Sequence, residues 1–243
     1  MRCAISCAGA LVLAACGRVG FEEREPDARA PAFCAALGTP ALFCEDFEDG
    51  SFGNFAGMNS DLGAVAIVPA AAHASHFGLE ASTQMLASGD NATAELQATL
   101  ATPITSARFA FDLDIATAGT SDLAIGSIDM DDGMQMHIVE YVYRLAPGTS
   151  YIEDVVKPNG GSSSFNSYPF ESATPATWHR VEIDFTTGTG ASCTVLTDGT
   201  QVLATPLVGT TGGAPQLDLG AQFVQGPAAG WAVDLDNVVV DAP

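Results

Sequence analysis

Four carboxylates crowd into one short stretch of the sequence, FCEDFEDG at residues 43–50. The phenylalanines of this stretch have the bulk expected of a strand, and no Lys or Arg lies near its acids. Clusters of oxygen ligands suit hard divalent cations, and calcium accepts carboxylates together with backbone carbonyls. The stretch therefore indicates either a cation site or a solvated acidic edge of a sheet.

A second set of candidate functional residues lies in GMQMHIVEYVYRLA, residues 133–146. Side chains of an extended chain alternate between two faces, which places Gln135, His137, Tyr141 and Tyr143 on the same face. A His or Tyr in such a position is a candidate general base. The sequence has no Gly-x-Ser-x-Gly motif and its four histidines are scattered, so it gives no support for Ser-His-Asp catalysis.

The segments that must position these residues are predicted to be strands almost throughout. ARFAFDLDIA, residues 107–116, alternates apolar and polar side chains with a period of two, which is typical of a half-buried strand. ATAELQATL, residues 92–100, alternates in the same way despite its helix-forming composition. Asp198 and Gly199 form a hairpin turn signal between two further runs. About ten such strands with frequent turns predict an all-β sandwich or barrel.

Three short motifs resemble the jelly-roll modules of concanavalin A-like lectins, glucanases and laminin G-like domains. They are CEDFEDG at residues 44–50, WHRVEI at 178–183 followed by TDG at 197–199, and DNVVV at 236–240. The resemblance implies an all-β, two-sheet antiparallel jelly-roll sandwich of the concanavalin A-like type. It concerns the fold, because one fold hosts many functions.

In such modules the first and last strands commonly lie side by side, which would bring FCEDFEDG next to VDLDNVVV, residues 233–240. Asp46 and Glu48 would then face Asp236. Like charges opposed across strands destabilise a sheet, whereas a bound calcium ion would hold them together. Related modules often carry a structural calcium at this position. The resemblance therefore implies a calcium site formed by Asp46, Glu48 and Asp236.

The same resemblance implies a sugar-related function. Glucanases of this fold carry their two catalytic carboxylates along one strand as Glu-x-Asp-x-(x)-Glu, and no such run occurs here. We therefore expect a non-catalytic, lectin-like sandwich that binds a polysaccharide or surface glycan through flat aromatic rings. The candidate ligand-binding residues are Gln135, His137, Tyr141, Tyr143 and Trp231, with Tyr151 and Tyr168 as further rings, whereas Trp178 is assigned to the core.

Two alternatives remain open. One is a structural or protein-binding protein. The other is a polysaccharide lyase, because Gln135 and His137 resemble the Gln-x-His motif of jelly-roll alginate lyases. The Arg-x-Glu-Leu and Tyr-Phe-Lys segments of those lyases are missing from this chain.

The N-terminal segment, MRCAISCAGALVLAACG, has an early Arg and an apolar run that is too short to span a bilayer. Its LAAC sequence resembles the bacterial lipobox, which implies cleavage before Cys16 and lipidation of that cysteine. We expect a lipoprotein signal peptide over residues 1–15, the lipidated Cys16 and a flexible tether over 16–33, and the sandwich domain over 34–243. No Asp follows Cys16, which implies anchoring in a bacterial outer membrane, on its periplasmic or cell-surface side.

The net charge of the chain narrows the classes of molecule that it can bind. The chain has 8 Lys and Arg against 29 Asp and Glu, a net charge of −21. Nucleic acid is excluded as a partner, because phosphate binding needs basic patches.

Cys34 and Cys44 flank a short segment with a turn signal, so this pair is the favoured disulfide in an oxidising compartment, with Cys193 left free. Spacing alone leaves other pairings open.

Replacing the cysteine of the lipobox tests the anchor. We expect Cys16→Ala to move the protein from the membrane fraction to the soluble fraction, because the acyl chains supply the membrane affinity. The measurement is fractionation of cells that express either form. A variant that stays with the membrane as fully as the unmodified chain would contradict the prediction.

Overall fold

Extended strands make up most of the chain that the computed structural model describes, namely residues 32–38, 40–144, 148–209 and 212–241. These residues belong to the unit Pro31–Pro243, and the predicted signal peptide and lipidated Cys16 lie outside them. In chain order the strands are β1 (Phe43–Glu45), β2 (Gly57–Asp61), β3 (Gly63–Val68), β4 (Gly78–Thr83), β5 (Asn91–Thr99), β6 (Ser106–Thr117), β7 (Leu123–Asp131), β8 (Gln135–Tyr143), β9 (Thr149–Pro158), β10 (Ser164–Glu171), β11 (His179–Thr186), β12 (Ser192–Thr197), β13 (Thr200–Pro206), β14 (Ala214–Gln225) and β15 (Ala232–Asp241). The described helices are α1 (Phe33–Ala36) and a 3-10 helix, Pro69–Ala71. No described helix is long and apolar enough to cross a membrane.

The strands form two antiparallel sheets, which confirms the predicted jelly-roll sandwich. The eight-stranded sheet runs in the order β13–β12–β11–β6–β15–β4–β3, with β1 also paired to β15. The seven-stranded sheet runs in the order β10–β9–β8–β7–β14–β5–β2. Strands that are distant in the sequence, such as β6 and β15, therefore become neighbours. The described chain has 15 strands, against about ten predicted. The additional strands include the short, largely exposed β2, which has no apolar alternation, and β10, which is mostly polar.

The first and last strands are paired, as predicted. β1 runs antiparallel to β15, with Phe43 opposite Val240. A disulfide joins Cys34 to Cys44 with Cα atoms 5.8 Å apart, which is the pairing the sequence favoured. Because Cys44 lies within β1, the bond fixes the short helix α1 to the start of the sheet. Cys193 is free and buried, and burial raises the pKa of its thiol to about 12.

The core lies between the sheets and is filled by every second residue of the long strands. The alternating apolar residues predicted in β5 and β6 are all buried, among them Leu96, Phe109 and Phe111. Trp231 is among the largest fully buried side chains, at 1% exposure. A Cβ atom at Gly119 would lie 2.3 Å from its indole Nε1, so the packing of this ring requires a glycine there.

A buried polar cluster on the outer face of the eight-stranded sheet joins three of its strands. Arg180 Nη1 on β11 donates to Asp112 Oδ1 on β6 at 3.0 Å and to the carbonyl of Asn237 on β15 at 2.6 Å. Asn237 Nδ2 donates to the same carboxylate at 2.7 Å. His73 Nδ1 lies 2.8 Å from Asp112 Oδ2, and its ring stacks on Trp178. Trp178 is therefore half-buried on this outer face, and its assignment to the core was wrong.

Loss of the cation in this cluster should be costly. We expect Arg180→Met to lower the free energy of unfolding by about 2–3 kcal/mol, because it removes the guanidinium that pairs with the buried carboxylate of Asp112. The measurement is urea denaturation.

Arg108→Met is the matched control, because Arg108 pairs with Asp241 on the surface at 47% side-chain exposure. Exposed pairs of this kind contribute less than about 1 kcal/mol. Equal losses for the two variants would contradict the prediction.

Candidate functional site

The three predicted calcium ligands all serve as hydrogen-bond acceptors for the backbone. Asp236 is fully buried, and its Oδ2 accepts from His73 N at 2.9 Å and from Ser75 Oγ at 2.6 Å. Glu48 Oε1 accepts from His76 N at 2.8 Å, and Asp46 Oδ2 accepts from Cys34 N at 3.0 Å. The loop at residues 73–76 therefore bridges Glu48 and Asp236. In the part of the chain that the structure describes, no group of three His, Cys, Asp or Glu side chains is arranged to hold a metal ion, and the calcium site stays a prediction.

A second pair of acids lies on the same outer face. Asp234 on β15 is directly opposite Asp114 on β6 and Glu80 on β4. Asp234 Oδ1 and Asp114 Oδ1 are buried and have no hydrogen-bond partner among the described residues. Burial, together with the charges of Glu80 and Asp114, raises the pKa of Asp234 to about 6. Asp234 and Asp114 are therefore opposed carboxylates, each with a buried oxygen that accepts no hydrogen bond among the described residues.

Most of the residues predicted to bind a sugar lie in the core instead. Tyr141 and Tyr143 are fully buried, and Trp231 packs edge-on against Tyr143 with ring centroids 5.8 Å apart. These three rings cannot stack on a ligand in solution, and their assignment to a binding surface was wrong. The shared face of β8 was predicted correctly, but that face points into the sandwich because its large rings fill the space between the sheets.

His137 is also buried and does not reach the surface. Its Nε2 lies 2.9 Å from Asp154 Oδ1, and both side chains have 0% exposure. A Cβ atom at Gly209 would lie 2.1 Å from the imidazole, so the loop after β13 closes over the ring. Gln135 is half-buried at the start of β8. A lyase that uses His137 as its base is therefore contradicted, because no substrate can contact the imidazole.

The opposite, outward face of the seven-stranded sheet carries an unforeseen row of polar residues. Glu140 points outward because its neighbours in β8, Val139 and Tyr141, belong to the core. It lies directly opposite Glu153 on β9 and opposite Ser127 on β7. The complete row, here called the polar row, is Gln97, Asp218, Ser127, Glu140, Glu153 and Ser167. Two further outward acids flank it, Glu95 and Asp129.

Glu140 and Glu95 on this face hold their protons more tightly than free carboxylates do. Burial, followed by the charges of Glu153 and Asp129, raises the pKa of Glu140 to about 7. Burial and the charges of Asp218 and Asp129 likewise raise the pKa of Glu95 to about 7. At neutral pH Glu140 is therefore partly protonated, so its carboxyl group can donate as well as accept a hydrogen bond.

A groove of about 660 Å³ opens beside Glu140 and Glu153 of the polar row. Three aromatic rings line it, and two of them are unusually exposed for their size: Phe165 is 59% exposed and Phe223 is 51% exposed. The third, Tyr151, donates its hydroxyl to Asp122 Oδ2 at 3.0 Å, and the guanidinium of Arg144 lies 4.9 Å from its ring centroid. The remaining lining residues are Ser121, Asp122, Ala124, Glu140, Val142, Glu153, Lys157 and Gln225.

Of the predicted aromatic candidates, only Tyr151 lies in this groove, while Tyr168 packs against the core. The groove combines residues from β7, β8, β9, β10 and β14, so no single segment contains its pattern. Alternation within β9 does place Tyr151, Glu153 and Lys157 on one face, and this was the available sequence signal. The geometry offers flat apolar rings beside carboxyl, amide and ammonium groups within one cavity.

Comparisons with known proteins agree with this architecture. No family model and no curated protein matches the sequence. Among solved structures, the endo-β-1,4-glucuronan lyase of the fungus Trichoderma reesei is similar with a TM-score of 0.64 and 14% identity, over 84% of this chain and 96% of that chain. The chain shares the fold of jelly-roll proteins that act on polysaccharides.

Two further structures support the same fold. A GH16 protein of the Bacteroides ovatus mixed linkage glucan PUL, solved in complex with a product, has a TM-score of 0.58 and 8% identity, over 82% of this chain and 99% of that chain. The alginate lyase Aly36B has a TM-score of 0.53 and 14% identity, over 82% of this chain and 96% of that chain. At these identities the likeness concerns the arrangement of strands and not the residues of a site.

Melting experiments test the calcium site. We expect millimolar calcium to raise the melting temperature by about 5–10 °C relative to a chelator, because an ion that binds the folded state at a hundredfold excess over Kd stabilises it by about 2.7 kcal/mol. Glu48→Gln should abolish the shift, since it removes one charged ligand without disturbing the buried hydrogen bonds of Asp236.

The matched control is Asp234→Asn, which alters the other acid pair on the same face. Equal melting temperatures of the unmodified chain in calcium and in chelator would refute the site. A shift that survives in Glu48→Gln but is lost in Asp234→Asn would place the ion beside Asp114 instead.

Proposed function

We propose that this protein binds a glycan in the groove on the outer face of the seven-stranded sheet. The observation that carries the proposal is the exposure of Phe165 and Phe223 inside a cavity that also contains charged and amide side chains. Large exposed rings gathered in a concave site indicate a ligand with flat apolar faces. A pyranose ring has such faces and carries hydroxyl groups around its edge.

The polar groups in the groove match those hydroxyl groups. Glu153 and Asp122 offer acceptor oxygens, and Gln225 offers both hydrogen-bond donors and an acceptor. Near neutral pH the carboxyl group of Glu140 can donate or accept a hydrogen bond. Aromatic stacking combined with hydrogen bonds at the rim fixes both the position and the orientation of a bound molecule.

The rigidity of the groove supports the same proposal. Glu140, Tyr151, Glu153, Phe165 and Phe223 all lie within strands, where the ladder of hydrogen bonds holds their backbone. A site made by strands loses little conformational entropy when a ligand binds. Proteins of the same fold act on polysaccharides, as the glucuronan lyase and the GH16 protein do by name. This analogy supports a glycan as ligand and identifies no reaction.

Affinity gel electrophoresis of the full-length chain against a panel of neutral and anionic polysaccharides tests the proposal. We expect at least one glycan to retard the protein, and Phe165→Ala and Phe223→Ala each to weaken that binding by about five- to tenfold, because each removes a stacking surface.

Met85→Ala is the matched control, since Met85 is an apolar side chain with 83% exposure that does not line the groove. It should leave the affinity unchanged. Retardation by no glycan of the panel, or equal retardation of all three variants and the unmodified chain, would contradict a glycan site in the groove.

A further inference from the structure

We infer that the groove selects neutral glycans and rejects glycans that carry a carboxylate on each sugar, an inference that rests on the proposed function. It assigns a ligand class that differs from the uronate polymers named for two proteins of similar fold. The inference depends on the balance of charge over the outer face of the seven-stranded sheet.

Negative charge dominates this face. Its outward carboxyl groups are Glu95, Asp122, Asp129, Glu140, Glu153 and Asp218. Within the described lining of the groove, Lys157 is the one cationic side chain. It is opposed by three carboxyl groups of the same lining, Asp122, Glu140 and Glu153.

The nearby arginine is also engaged. Arg144 Nε donates to Asp122 Oδ1 at 2.8 Å, and its Nη2 donates to the other oxygen of the same carboxylate. Two parallel hydrogen bonds of this kind hold a guanidinium in a fixed orientation. The charge of Arg144 is thus already balanced by Asp122, so the pair offers an incoming sugar carboxylate no net positive charge.

A uronate unit would therefore bring its charge next to Glu140 and Glu153, and the single ammonium of Lys157 does not balance both of these carboxylates. Both acids are half-buried, so salt screens the repulsion less than it does on an open surface. A neutral sugar meets the same oxygens with hydroxyl groups that donate hydrogen bonds. The carboxylate oxygens of Glu140 and Glu153 thus accept hydrogen bonds from neutral sugars and repel the carboxylates of uronates.

The discrimination should depend on pH. Burial, followed by the charges of Glu153 on β9, Asp129 on β7 and Glu95 on β5, raises the pKa of Glu140 to about 7, and the charge of Lys157 on β9 opposes them. At pH 8 Glu140 is mostly charged and repels a uronate, whereas at pH 5 it is mostly protonated and the repulsion decreases.

A matched pair of ligands tests the inference. Cellohexaose and a β-1,4-glucuronan hexamer have the same length and linkage, and differ by the oxidation of C6 to a carboxylate. By isothermal titration calorimetry with the full-length chain at pH 8, we expect the uronate to bind at least roughly tenfold more weakly than the neutral hexamer. We expect this ratio to decrease at pH 5.

The double variant Glu140→Gln/Glu153→Gln should reduce the ratio at pH 8, because it removes two opposed charges and keeps the shape of the side chains. Glu182→Gln/Asp184→Asn is the control. It removes the same charge from β11 of the other sheet, and it should leave the ratio unchanged.

Equal or tighter binding of the uronate, or a ratio that both double variants change equally, would overturn the inference while the groove remained a glycan site. If neither hexamer binds but the polysaccharide panel shows a neutral ligand, that ligand and its carboxylated form replace the pair. Failure of every glycan in the panel would instead overturn the proposed function, and the inference with it.

Discussion

The filling of the space between the two sheets is the constraint on which the rest of this structure depends. Each strand can turn only one of its two faces inward, and the inward face must supply the bulk that closes the core. In β8 the rings of Tyr141 and Tyr143 supply that bulk. Glu140, which precedes Tyr141 in the strand, is thereby forced outward and meets Glu153 across the strand pair. The outer groove is thus a consequence of how the core is packed.

Alternation in the sequence predicted the strands well but could not decide which face of β8 points inward. Gln135, His137, Tyr141 and Tyr143 do share a face, yet the other face also carries apolar residues such as Ile138. When both faces of a strand are mixed, its own pattern does not distinguish core from solvent. Only the neighbouring strands decide, through the volume that they leave to be filled.

The groove could not be predicted from the pattern of any single strand, because its residues come from several strands. No strand of the sequence carries the paired carboxylates that glucanases of this fold use. The fold instead places Glu140 and Glu153 opposite each other on two neighbouring strands. Their pairing depends on the hairpin between β8 and β9, and the position of Phe223 depends on an irregularity in the pairing of β14 with β7. Register and irregularities of this kind are properties of strand pairs, so hydrophobic period alone does not predict them. By contrast, the disulfide and the pairing of β1 with β15 followed from local spacing and from a resemblance that spans both ends of the domain.

The pairing of the first strand with the last also determines where the domain can be joined to other things. Both β1 and β15 belong to the eight-stranded sheet, and Phe43 opposite Val240 brings the two ends of the domain together. The groove opens on the outer face of the other sheet. A reporter protein joined directly to either of these strands would therefore be attached to the sheet that does not carry the groove.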